Sequence, residues 1–218
     1  MIKFYRNTRM KQYKSKIILS FSLFLIIIQS CSNKRDQLTE MGDEAIVNET
    51  QVSDWLAYGR THNERRFSPA TDINSNNVKD IKVDWYLDLP NDVGLVSTPL
   101  VINGILYFTG TMNIIRAVDA ITGKILWTFD PEVGKQIKGR QQTGFVHNRG
   151  LSFSKGKIFG ATWDGRLFAL DSKSGKKLWM VQTFDPQRAL YITGAPKAFK
   201  DKVIIGNGGI ENGPSRGF

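Results

Sequence analysis

A single cysteine, Cys31, among 218 residues excludes a disulfide within the chain. Histidine is almost as scarce. His62 and His147 are the only two, and neither has an acid or a second ligand at metal or triad spacing, so both read as structural or surface residues. No apolar run reaches the ~20 residues that a membrane-spanning helix needs. The first 30 residues contain no Asp or Glu. A nucleophile elbow, a glycine-rich phosphate loop and zinc-ligand spacings are all missing. Beyond residue 30 no basic cluster is interleaved with aromatics, so a nucleic-acid partner is not supported. Hydrolytic triads, nucleotide phosphates and zinc therefore have no foothold here.

What the sequence does have is a repeat. Residues 116–127 contain Asp119, Gly123, Lys124 and Trp127, and these return as Asp171, Gly175, Lys176 and Trp179, each 52 residues later. The turn glycine Gly104 returns at Gly156 with the same spacing. A period of ~40–50 residues reads as a solenoid or propeller unit. Within one unit the β-rich runs 98–102 and 105–109 are split by Asn103-Gly104, a strong hairpin signal. The runs 114–119 and 124–129 follow, joined through Thr122-Gly123, where Asp119 can bond its own turn and Gly123 can supply positive φ. Four antiparallel strands make a sheet that is apolar on both faces, which one sheet cannot bury alone. Stacking such sheets around an axis solves this and leaves only short edges. The expected fold is all-β: a partial β-propeller of four-stranded antiparallel blades, with the repeated Trp wedged between neighbours. The alternative is a β-sandwich of two similar sheets.

Length and charge set the remaining bounds. An apolar content of 41% is enough for an ordinary packed core. After the leader there is room for roughly three blades, so the chain is expected to be a truncated piece of something longer. Six cations, Lys3, Arg6, Arg9, Lys11, Lys14 and Lys16, sit in the first 30 residues, so only +4 of the net +10 belongs to the remainder. They precede an apolar run at 17–28, broken only by Ser20 and Ser22. Its dozen residues make a signal-peptide core rather than a span. The run leads to Ile28-Gln29-Ser30-Cys31, which resembles the bacterial lipoprotein box. On that reading residues 1–30 are a signal peptide, Cys31 is lipidated, and the domain lies on the periplasmic side of a membrane. The alternative is an incidental free cysteine in an uncleaved anchor. Residues 31–53 read as a polar, acidic tether, and 54–218 as the folded domain.

The domain opens with Trp55, Tyr58, Gly59 and Arg60, then Arg66-Phe67-Ser68-Pro69, then Ile73-Asn74, Asn77-Val78, Ile81 and Trp85. This order and spacing resembles the entry segment of the quinoprotein dehydrogenases, best the methanol/ethanol dehydrogenase-like branch, and the resemblance runs over residues 54–218. It implies an eight-bladed propeller with pyrroloquinoline quinone (PQQ) and calcium at the axis. Asn148-Arg149-Gly150 resembles the family signature whose arginine meets the quinone; a guanidinium fork suits a planar tricarboxylate. Tyr191-Ile192-Thr193-Gly194-Ala195-Pro196 matches a segment whose threonine hydroxyl reaches the cofactor, which gives Thr193 that role. In the run 203–211 a buried strand ends in glycines that let a ligand approach the backbone, and a carboxylate follows. By resemblance Gly208, Gly209 and Ile210 line PQQ, and Glu211 ligates calcium.

Four departures stand beside these matches. Val96 occupies a place where many members carry a cofactor-contacting glutamate. Thr143-Gly144 stands where several have two adjacent cysteines. The tail after Glu211 is one residue longer than usual. The catalytic aspartate, the other calcium ligands and the tryptophan under the quinone would lie beyond residue 218, so the chain is expected to be inactive alone. The resemblance implies the N-terminal portion of a PQQ- and calcium-dependent dehydrogenase. Such an enzyme oxidises an alcohol, polyol or sugar and passes electrons to a cytochrome c or a membrane quinone. The alternatives are a non-enzymatic propeller scaffold lipoprotein of the outer-membrane protein assembly type, which shares the Asp…Gly…Trp repeat, and a degenerate member that no longer binds PQQ.

Overall fold

The computed structural model describes residues 38–137 and 146–209. The chain divides into two compact units, Met1–Glu40 and Met41–Phe218. In the first only the helical residues 38–40 are described. Cys31 lies outside the described residues. The second unit holds the repeat, and its two copies fold as two antiparallel four-stranded sheets. The first orders β1 (Leu100–Ile102), β2 (Ile105–Thr109), β3 (Ile115–Asp119) and β4 (Ile125–Phe129) side by side. The second does the same with β5 (Ser152–Ser154), β6 (Lys157–Ala161), β7 (Arg166–Asp171) and β8 (Lys177–Gln182). A third begins as the hairpin β9 (Lys197–Phe199) and β10 (Lys202–Ile204). The all-β, partial-propeller architecture expected from the repeat is the one observed.

The turn chemistry follows the sequence closely. Asn103-Gly104 and Lys155-Gly156 both take positive φ at both positions, the geometry that suits a two-residue hairpin. Asp119 Oδ1 accepts from the backbone N–H of Thr122 at 2.8 Å and from its hydroxyl at 2.9 Å. Asp171 Oδ1 does the same with Ser174, at 2.8 and 2.7 Å. Even the irregularities repeat: β3–β4 slips register at Ala117/Val118 and β7–β8 at Ala169/Leu170, again 52 residues apart. Burial is lowest on the last strand of each sheet. β3 and β7 are buried almost throughout, whereas β4 and β8 are largely exposed.

The repeated tryptophan joins one sheet to the next. Trp127 Nε1, from β4, donates to the Ser172 carbonyl in the β7–β8 turn at 3.0 Å. Tyr107 from β2 donates to the same carbonyl at 3.1 Å, its ring 5.8 Å from that of Trp127. Burial pushes the Tyr107 phenol above its ordinary range, and the nearby Asp171 charge adds to the shift, so it stays a donor. Gly175 takes φ +70, and a Cβ there would sit 2.6 Å from Trp127 Cε3. Trp85 makes the same contact one unit earlier: its Nε1 donates to the Ala120 carbonyl at 3.0 Å and its ring covers Gly123.

Residues 41–53, read from composition as tether, belong to this second unit. Helix α1 (Asp43–Val47) buries Ile46, the Met41 carbonyl accepts from Lys155 N at 2.8 Å, and Asp43 Oδ2 accepts from Lys200 N at 2.6 Å. Polar composition concealed this because the apolar contribution comes from single side chains. Between them, residues 67–96 run over the surface with Phe67, Ile73, Val83 and Tyr86 well exposed.

Candidate functional site

The segments leading into the first strands of successive sheets are laced together. Thr98 N donates to the Arg149 carbonyl at 2.8 Å, and Arg149 N donates to the Thr193 carbonyl at 2.9 Å. Thr98 and Gly150 form a parallel bridge within this line. Three segments far apart in sequence thus meet around Arg149.

The three residues of Asn148-Arg149-Gly150 divide the work. Asn148 is buried and structural: its Nδ2 donates to the Gly194 carbonyl at 2.8 Å, and its Oδ1 accepts from Gly150 N at 3.0 Å. Its own carbonyl accepts from the Thr109 hydroxyl at 2.8 Å. Gly150, at φ +153, lies against the Thr98 carbonyl and the Tyr58 ring. Arg149 between them is pinned through its backbone while its side chain is exposed. Its Nη1 donates to Thr193 Oγ1 at 2.6 Å and to the Thr193 carbonyl at 3.3 Å. Two residues singled out 44 positions apart in the sequence are therefore in direct contact.

Gly208 belongs to the same neighbourhood. It pairs with Tyr191, two residues before Thr193, by Gly208 N→Tyr191 O at 2.8 Å and Tyr191 N→Gly208 O at 3.2 Å. The structure adds a reason for this glycine that the sequence reading lacked. A Cβ at 208 would lie 2.7 Å from the Tyr191 ring, and one at Gly209 would lie 2.6 Å from Leu190 Cδ2. Both glycines are required by the protein's own packing. Tyr191 in turn stacks on Trp163, with centroids 5.8 Å apart and planes 7° from parallel. Their pairing was not marked by sequence reasoning, because nothing in the spacing brings Trp163 to Tyr191; the Ile192 N→Trp163 O bond at 3.1 Å does. His62 is exposed and meets Phe199 edge-on at 5.7 Å, consistent with a structural role.

Ile210, Glu211 and Thr143-Gly144 lie outside the described residues. Among the described residues no group of three or more His, Cys, Asp or Glu could hold a metal ion. A planar tricarboxylate is a different matter. It needs a guanidinium fork not already spent on a carboxylate, and Arg149 makes no ion pair among the described residues. The buried pairs lie elsewhere, Arg116–Asp92 at 2.8 Å and Arg166–Asp164 at 2.6 Å. Arg149 and Thr193 fit such a ligand.

Comparison with known proteins points the same way. The family model described as the glucose/ethanol/alcohol dehydrogenase β-propeller domain, PQQ, matches residues 55–216. The alcohol dehydrogenase (quinone) dehydrogenase subunit of Komagataeibacter europaeus is 46% identical over 182 residues, 80% of this chain and 24% of the relative. Quinohemoprotein alcohol dehydrogenase ADH IIB of Pseudomonas putida is 47% identical over 178 residues, 81% of this chain and 26% of the relative. The crystal structure of quinohemoprotein alcohol dehydrogenase from Comamonas testosteroni superposes with a TM-score of 0.76 at 40% identity, covering 83% of this chain and 27% of that one. The chain spans about a quarter of the length of the curated relatives it matches.

Proposed function

We propose that this chain, which belongs to the PQQ glucose/ethanol/alcohol dehydrogenase β-propeller family, supplies the Arg149–Thr193 wall of a pyrroloquinoline quinone site in an enzyme that oxidises alcohols. The observation that carries this is the Arg149–Thr193 junction, where an exposed guanidinium without a carboxylate partner among the described residues is held by a hydroxyl. When bound, the quinone supplies the two-electron acceptor chemistry that no side chain has. The protein's part is to hold and orient. Asn148 and the two backbone bonds fix Arg149, so its fork can meet a carboxylate with little ordering left to do. Thr193 Oγ1 accepts from Arg149, which leaves its own hydroxyl proton to donate to a cofactor oxygen.

Further assignments complete the reading as proposals. Glu211 is the calcium ligand, with Gly208, Gly209 and Ile210 beside the quinone. The substrate is an alcohol, with polyols and sugars as the wider class, and a cytochrome c or a membrane quinone takes the electrons. Cys31 carries a lipid that anchors the protein on the periplasmic side of a bacterial membrane. A second reading, a family member that no longer holds the quinone, draws on Val96 and on the glycines at 208 and 209 being explained by Tyr191 and Leu190. One experiment separates them. The full-length protein is mixed with PQQ and calcium, desalted, and its quinone absorbance read. Retention in the wild type that Arg149→Ala abolishes supports the proposal; no retention in the wild type sinks it.

A further inference from the structure

A second guanidinium meets the Thr98–Gly150 pair. Arg66 Nη1 reaches Thr98 Oγ1 at 3.3 Å, and Thr98 is the residue whose amide bonds the Arg149 carbonyl. The Arg66 guanidinium lies 4.2 Å from the centre of the Tyr58 ring, and that ring also touches the space beside Gly150. Three features separate Arg66 from an ordinary surface arginine. Its backbone takes φ +55, a left-handed conformation that L side chains rarely adopt and that concentrates at functional positions. That conformation is held in place by Arg66 N→Gly59 O at 3.2 Å, at a glycine where a Cβ would collide with the Glu64 backbone. The side chain is aimed by an aromatic face, an interaction that orients a cation without neutralising it. Finally, among the described residues no carboxylate pairs with it.

Neighbouring Arg60 shows the contrast. It too has positive φ, but it is buried and its Nη2 donates to the Glu49 and Gln51 carbonyls. Arg66 is exposed, oriented and unspent.

We infer that Arg66 is a second carboxylate-binding contact for the planar polycarboxylate cofactor, acting with Arg149 across the Thr98–Gly150 pair. The inference rests on the proposed quinone site and adds a residue to it. Tyr58 and Thr98 are positioning residues that hold the Arg66 guanidinium beside this pair.

The test measures the PQQ dissociation constant of the full-length protein by fluorescence quenching in the presence of calcium. It compares wild type, Arg66→Gln, Arg66→Lys and Arg149→Gln, and repeats the titration with PQQ trimethyl ester, whose carboxylates are masked. Arg66→Gln is expected to weaken PQQ binding about tenfold, equivalent to about 1.4 kcal/mol. Arg66→Lys, which keeps the charge without the fork, should fall between wild type and Arg66→Gln. Binding of the trimethyl ester should be the same in wild type and Arg66→Gln. Arg66→Gln binding PQQ within twofold of wild type while Arg149→Gln loses it would remove Arg66 and leave the quinone site standing. Equal loss for PQQ and its ester would make Arg66 a structural residue and overturn the inference. A wild type that binds no PQQ overturns both.

Discussion

Replacing Gly175 with Ala tests how the sheets are joined, because two separable penalties meet at that residue. The first is conformational: φ is +70, where a Cβ costs about 1–2 kcal/mol. The second is steric, since the added methyl would sit 2.6 Å from Trp127 Cε3 and 2.7 Å from Cδ2, and overfilling a packed contact costs roughly 1–3 kcal/mol. Gly104→Ala isolates the first penalty, since φ is +76 there and nothing lies within 4 Å of the added atom. Gly104→Ala should therefore cost about 1–2 kcal/mol, and Gly175→Ala about 2–5 kcal/mol. Urea unfolding followed by tryptophan fluorescence measures both, and for a chain of this size each kcal/mol also lowers the thermal midpoint by about 2–4 °C. The steric share should disappear when Trp127 is also removed. Gly175→Ala combined with Trp127→Ala is thus expected to fall short of the sum of the two by more than about 0.5 kcal/mol, the ordinary limit of additivity. If Gly175→Ala costs no more than Gly104→Ala, or if the double variant is additive, the tryptophan does not bear on the neighbouring turn as described.

Three further outcomes follow from the same geometry. Trp127→Phe keeps an aromatic ring but removes the donor to Ser172; because Tyr107 still donates to that carbonyl, the loss of the hydrogen bond should cost only about 1 kcal/mol, and Tyr107→Phe on top should cost more than either alone, read by urea midpoints. Asp92→Ala leaves Arg116 buried without its counter-ion and should cost about 3–5 kcal/mol, measured the same way. The Asp119 carboxyl is held below its ordinary range by the Thr122 amide and hydroxyl, so its contribution is complete above the unfolded value near 4 and is lost as the pH falls through the lower folded value. Asp171 behaves alike: its partial burial opposes the shift, but hydrogen bonds from Ser174 prevail. Stability measured from pH 5 to pH 2 should therefore decline, and Asp119→Asn should flatten that decline.

The blade was legible in the sequence because its rules are local. Asp119, Gly123 and the Asn103-Gly104 turn act on residues within a few positions, and the strands 105–109 and 115–119 fall where alternation and turn chemistry put them. The repeat of these local signals at Asp171, Gly175 and Trp179 was enough to predict a stack of sheets. Resemblance to the quinoprotein segments also marked Arg149 and Thr193, but as two separate candidates. Residues 41–53 were misread as tether for a physical reason: α1 gains its place through Ile46 and two long-range hydrogen bonds, not through its own pattern.

Composition and local order thus determined that this chain forms short strands, tight turns and a repeating tryptophan. Tertiary structure alone decided what those residues face. It brought Arg149 to Thr193, set Arg66 over Tyr58 beside Thr98, and filled the space at Gly208 with Tyr191. Turn and strand preferences are properties of neighbours along the chain, whereas a binding wall is made by side chains and backbone bonds that span dozens of residues. No spacing rule encodes those meetings; the lacing of the segments that lead into successive first strands, through Thr98, Arg149 and Thr193, creates them.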